Sequence, residues 1–228
     1  MTPEVEDIAK NDDEGRRQAE IERQERERRH SITAIHEAAH AVAFFMTAKL
    51  MGREPADALY YVEIYRPGNG AMTCGARWSK DISAAAKAAQ CPEDSGDDAI
   101  AAAFAAGADS KSWLRAQLLI RVAGPVAQAK ETGQSHDDLD DDDRMTTITT
   151  PSYDWNVHTD CTLAGISATE HQTHIDDAIA FVSAKFDESE LWNALLALAK
   201  ALPKEGRMEG RECWKIFSDA IETFEPWA

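Results

Sequence analysis

His36 and His40 stand four residues apart in the run Ser31-Ile-Thr-Ala-Ile-His-Glu-Ala-Ala-His-Ala-Val-Ala-Phe-Phe-Met46, and Glu37 directly follows the first of them. On a helix, residues i and i+4 lie about one turn apart on the same face, so both imidazoles can reach one metal ion. Glu37 projects beside that ion and can take a proton from a water held there. Two nitrogen ligands and one general base on a rigid helix are the working parts of H-E-x-x-H zinc chemistry. The competing reading is a pair of core histidines with no metal. The helical setting favours the metal: Thr33 is placed to cap the N-terminus, and Ile35, Ala39, Val42 and Met46 make one apolar stripe. Neither Gly nor Pro interrupts Ser31 to Lys49. A zinc site of this kind still needs a third protein ligand.

The rest of the chain must position these groups. A chain of 228 residues can bury one good core, alone or with an appended segment. Hydrophobic residues at 43% and charged residues at 29% describe an ordinary soluble protein. The formal net charge of -17 opposes phosphate backbones and anionic bilayers, so neither nucleic acid nor membrane is expected as a partner. No apolar run nears the roughly 20 residues that a membrane helix needs. The charged N-terminus carries no signal-peptide pattern. Cys74, Cys91, Cys161 and Cys213 are scattered, without a C-x-x-C pair. They read as reduced thiols of a cytoplasmic protein and as poor metal ligands.

Residues 1–30 are charged almost throughout, with Glu and Arg mixed from Glu14 to Arg29 and i,i+4 pairs such as Glu22 with Arg26. So few apolar residues imply a solvated lead-in, helical or flexible, and not a core helix. The histidine helix is expected from about Thr33 to Lys49. Leu59 to Arg66 then reads as a strand, Pro67-Gly-Asn-Gly70 as a turn, and Ala71 to Trp78 as the returning strand. Such a strand either offers an edge to an extended peptide or simply packs on the helix. The Ala-rich stretch 81–110, broken at Cys91-Pro-Glu-Asp-Ser-Gly96 and near Gly107, reads as two short helical pieces or a partly mobile insertion.

Trp113 to about Thr132 is a firmer helix, with Leu114, Leu118, Val122 and Val126 on one face. Gly124-Pro125 is expected to kink it or divide it in two. Gly133 to Arg144 is the most acidic run, and reads as a solvated loop, a helix N-terminus, or the source of the third metal ligand. Its spacing does not fit an EF-hand. Thr146 to about Gly165 lacks periodicity and reads as a loop. Three helices are expected to close the chain: Glu170 to Phe186, Ser189 to Leu202, and Met208 to Phe224. His171 and His174, three apart and without a carboxylate base, read as surface histidines at a helix start.

With these pieces in order, the chain resembles the peptidase domain of the FtsH family of ATP-dependent zinc proteases. Thr33-Ala-Ile-His-Glu-Ala-Ala-His-Ala looks like the family's T-A-x-H-E-A-G-H-A, with Ala39 in place of its glycine. Val62-Glu-Ile-Tyr-Arg-Pro-Gly-Asn-Gly is similar to the strand and P-R-G turn, and Val122-Ala-Gly-Pro-Val-Ala-Gln to the G-G-R-A-A-E helix. Pro125 and Gln128 there replace Arg and Glu. Leu198-Ala-Lys-Ala-Leu-Pro-Lys-Glu-Gly-Arg-Met looks like L-A-x-x-L-L-x-x-E-T-L. His136-Asp-Asp138-Leu139 sits where the family has N-D-L, whose aspartate is the third zinc ligand, so the resemblance implies Asp138. Leu139 is the sole apolar residue between His136 and Arg144, which puts Asp138 at the edge of a core. Asp137, Asp140 and the later aspartates, with His136 as an outsider, are the other candidates.

The resemblance spans about Ser31 to Phe224 and implies a mainly α fold with a small β-hairpin or sheet, a helical bundle around the H-E-x-x-H helix. It divides the chain into a charged lead-in, 1–30, and a zinc peptidase-like domain, 31–228, with 81–110 as an insertion. It implies a zinc metalloendopeptidase in which His36, His40 and Asp138 hold the ion and Glu37 is the base. Nothing in the chain matches G-x-x-x-x-G-K-[ST], so no ATPase motor is expected. Substrates are then unfolded or extended polypeptides, or are delivered by a separate ATPase, and a homo-oligomer is compatible with the family. The alternative is a metal-bound peptide-binding or regulatory module that does not cleave; an intact Glu37 speaks against it.

Overall fold

After Pro3 the sequence has no proline and a single glycine, Gly15, before residue 48, and its first part is rich in Glu, Arg and Gln. These side chains lose little rotamer freedom in a helix. In the computed structural model, which describes residues 3–65, 71–76, 79–88, 96–133 and 152–227, the result is one helix, α1 (Pro3–Thr47). At 1.5 Å per residue it is about 67 Å long. The lead-in and the histidine helix are therefore continuous. Thr33 caps nothing; it lies buried in the helix interior. A capping residue acts only where a helix begins, and nothing upstream of Thr33 stops this one. Residues 14–29 are exposed and tied by Glu20–Arg23 at 2.7 Å and Arg23–Glu27 at 3.0 Å. Glu22 accepts from Gln18 at 3.3 Å.

From Thr33 the same helix is buried on nearly every side, through Ala34, Ile35, Ala38, Ala39, Val42, Phe45 and Met46. Against it pack α4 (Ser110–Thr132) and α7 (Ser189–Ala201), while α6 (His171–Phe186) packs on α4. Asp109 caps α4, its side chain accepting from the Lys111 and Ser112 amides at 3.1 Å. Pro125 removes one backbone donor, yet α4 is not divided there. Buried Val122, Ala123, Val126 and Ala127 hold the turns on both sides in place.

A three-stranded antiparallel sheet covers one end of α1. β1 (Leu59–Ile64) is central, between β2 (Ala71–Gly75) and β3 (Gly206–Glu209). Val62 stands opposite both Thr73 and Met208. The residues expected to begin the last helix thus form β3 instead, and α8 (Gly210–Ala220) starts only after them. Gly210 makes this change of direction possible: a Cβ there would lie 1.9 Å from the Leu59 carbonyl oxygen.

The Ala-rich stretch forms α2 (Lys80–Ala88) and α3 (Gly96–Ala105), which pack on each other through buried Ile82, Ala86, Ala99, Ile100 and Ala103. The loop expected over Thr146 to Gly165 is corrected in its described part, which is helix α5 (Ser152–Leu163). Its buried face is Val157, Asp160 and Cys161, and the Asp160 carboxylate accepts from Arg121 of α4. A helix whose inner face includes an ion-paired aspartate shows no apolar stripe. Cys74, Cys161 and Cys213 are free thiols, and burial pushes that of Cys213 up to about 12. Among the described residues no helix is long and apolar enough to cross a membrane.

Candidate metal centre

His36 and His40 lie on the buried part of α1, where it runs along α4. His36 is only 2% exposed. Its Nδ1 is 3.0 Å from Gln128 Oε1, and His40 Nδ1 is 2.7 Å from the Ile120 carbonyl oxygen. Both of these oxygens can only accept, so each Nδ1–H donates. Each neutral ring then carries its lone pair on Nε2, and the two Nε2 atoms lie 3.1 Å apart. Two lone pairs that converge in this way have no proton to share. A cation satisfies both.

The fit to a metal is close. Nitrogen ligands at the usual zinc distance of about 2.0–2.1 Å stand about 3.3 Å apart in a tetrahedral site. Ligating histidines also fix their tautomer by donating the other ring N–H to a carbonyl or carboxylate, which is the role of Gln128 and Ile120 here. Gly124 of α4 keeps the space in front of the nitrogens open. A Cβ at this position would lie 2.4 Å from His40 Nε2 and 2.5 Å from His36 Nε2.

Burial decides the charge states. It lowers His36 to about 3, helped by the neighbouring His40 and opposed by the Gln128 hydrogen bond. It lowers His40 to about 4, with the Ile120 hydrogen bond opposing and Arg121 assisting. Both rings are therefore neutral at pH 7, the form that binds metal. Glu37 is 3% exposed, and burial raises it to about 7 against the opposing hydrogen bond from Thr73. Thr73 Oγ1 donates to Glu37 Oε2 at 2.6 Å and lies 3.1 Å from the Glu37 carbonyl oxygen. A carboxylate poised near neutrality is suited to accept and return a proton.

The structure thus brings His36 and His40 together as the spacing requires, while Glu37, next in the chain, is buried against Thr73. Among the described residues no third His, Cys, Asp or Glu joins them. Asp138, with Asp137, Asp140 and His136, lies outside the described residues. Gln128, the Ile120 carbonyl, Gly124 and Thr73 escaped the sequence reading as site residues. Val122-Ala-Gly-Pro-Val-Ala-Gln was the one signal that pointed to this part of α4. One histidine expected at the surface is not there: His171 is 5% exposed. No protein-family model matches this chain, and no curated protein is found to be similar to it.

Proposed function

We propose that this chain is a zinc metalloendopeptidase of the FtsH peptidase type that hydrolyses unfolded or extended polypeptides. The observation that carries the reading is the pair of Nε2 lone pairs 3.1 Å apart, with both Nδ1 atoms committed to acceptors. His36 and His40 would hold the ion, with Asp138 as third ligand on the strength of the resemblance. Zinc, when bound, supplies a Lewis acid that polarises a peptide carbonyl and holds the oxyanion that develops.

The remaining work falls to the chain's own groups. Glu37 takes a proton at its carboxylate and returns it to the leaving amine, and Thr73 fixes the direction in which that carboxylate points. Thr73 belongs to β2, which stands at one edge of the β2-β1-β3 sheet. An extended peptide that pairs with this edge would run beside the base through main-chain hydrogen bonds, with little regard to sequence. A folded domain cannot present such a strand, and these 228 residues contain no nucleotide-driven motor. Free thiols at Cys74, Cys161 and Cys213 suit a reducing, cytoplasmic setting.

The experiment is cleavage of a fluorogenic unfolded protein by zinc-loaded chain, with and without a chelator. Cleavage abolished by the chelator and restored by zinc is expected, with no response to ATP and compact domains spared. A zinc-loaded chain that binds unfolded polypeptide without cleaving it would overturn the peptidase and leave a binding module.

A further inference from the structure

Among the described residues, one other pair of histidines brings ring nitrogens together. His158 on α5 and His171, the first residue of α6, face each other with their Nδ1 atoms 3.0 Å apart and ring centroids 5.2 Å apart. The buried His171 ring has its Nε2 3.1 Å from the Ile166 carbonyl oxygen. That oxygen only accepts, so His171 Nε2 carries the proton and the lone pair of the neutral ring is on Nδ1. The His158 ring is open to solvent, and among the described residues no other hydrogen bond sets its tautomer.

The metal centre on α1 has the same signature. In both places the backbone carbonyl of an isoleucine fixes one imidazole, and the two facing nitrogens stand at the separation of neighbouring ligands on one ion. We propose that His158 and His171 form a second metal site, for a borderline transition ion such as Zn²⁺, Cu²⁺ or Ni²⁺, bound through both Nδ1 atoms. Water completes the coordination, because His158 faces solvent. Without the ion, His158 Nδ1–H donates to His171 Nδ1. When the ion arrives, the proton of His158 moves to Nε2 and bonds to water, so both rings stay neutral and no proton is released. The net charge of -17 raises the local concentration of cations. His174 lies one turn beyond His171 but is not part of the site. It lines a cavity of about 380 Å³ with Leu118 and Arg115. The bound ion would tie α5 to α6 across the connection that contains Ile166.

The test is metal stoichiometry by mass spectrometry and calorimetry on chelator-stripped protein reloaded with Zn²⁺. The wild type is expected to take up one ion more than His158→Ala, and His174→Ala to match the wild type. His158 is exposed, so its replacement leaves the fold intact, which circular dichroism checks. With Cu²⁺, the nitrogen splitting in the paramagnetic resonance spectrum should lose one component in His158→Ala only. Equal uptake by wild type and His158→Ala would overturn the site. A single ion in the wild type that disappears in His158→Ala would support this site and remove the centre on α1. A single ion that survives His158→Ala would do the reverse.

Discussion

The two parts of α1 follow different physics within one unbroken run of backbone hydrogen bonds. Residues 14–29 are exposed, and their turns are held by Glu, Arg and Gln side chains that reach only along their own helix. From Thr33 to Thr47 almost every side chain is buried, and His36, Glu37 and His40 are completed by partners far away in sequence: Gln128, Thr73 and the Ile120 carbonyl. A helix can therefore be set by local propensity in one part and by tertiary contacts in another. The difference teaches where function can be placed. A metal pocket needs buried groups that several elements hold from different directions, and only the second part has them.

That contrast can be broken from either side. The largest effect is expected at Glu37. Glu37→Gln should lower peptidase rate by at least about a hundredfold while zinc stays bound, since the change removes a proton acceptor and no ligand. Loss of zinc together with rate would show that Glu37 is itself a ligand. Gly124→Ala comes next. Its methyl group would stand against both Nε2 atoms, so zinc affinity should fall by about a hundredfold or more, with about 1–3 kcal/mol of overpacking read from a melting curve. Unchanged affinity would mean that the ion does not sit between these nitrogens.

Gln128→Leu tests the remote support of His36. The Nδ1–H loses its acceptor, and zinc affinity is expected to drop by about 10- to 100-fold, read by competition with a chelating dye. Arg23→Ala, in the exposed part, should be the smallest. Its pairs with Glu20 and Glu27 are solvent-screened, so the melting midpoint should move by no more than about one degree. A larger shift would show that the exposed turns carry load that their surroundings do not reveal.

The histidine helix is legible in the sequence because a four-residue spacing is a local property. The strand pair β1 and β2, the two Ala-rich helices and α6 and α7 were legible for the same reason, each through its own pattern. What was hidden depends on pairing across the chain. β3 has four residues and one buried side chain, Met208, so its alternation is too short to see; only pairing with β1 makes it a strand. α5 hides because Asp160 stands on its inner face, neutralised by Arg121 of another helix. Thr33 misled as a cap because a good capping residue in mid-helix looks the same in sequence as one at a helix start. In the candidate metal centre, His36, Glu37 and His40 can be read from spacing, whereas Gln128 and Gly124 become site residues only because α4 lies beside α1.

The far end of α1 has one more partner. The Met46 carbonyl, among the last of the helix and without an acceptor role inside it, receives the backbone N–H of Trp227 at 2.8 Å. The Trp227 ring is buried and meets Phe181 and Phe186 edge-on or tilted. This one bond joins positions far apart in the chain, so it forms only long after the helix itself has been synthesised. The histidine helix is synthesised well before Trp227, and the Met46 carbonyl waits for that residue. A nascent chain from which Trp227 has yet to emerge would keep the histidines in sequence while leaving the Met46 carbonyl open and Phe181 and Phe186 without the indole, a state that cellular proteases can distinguish from the folded protein.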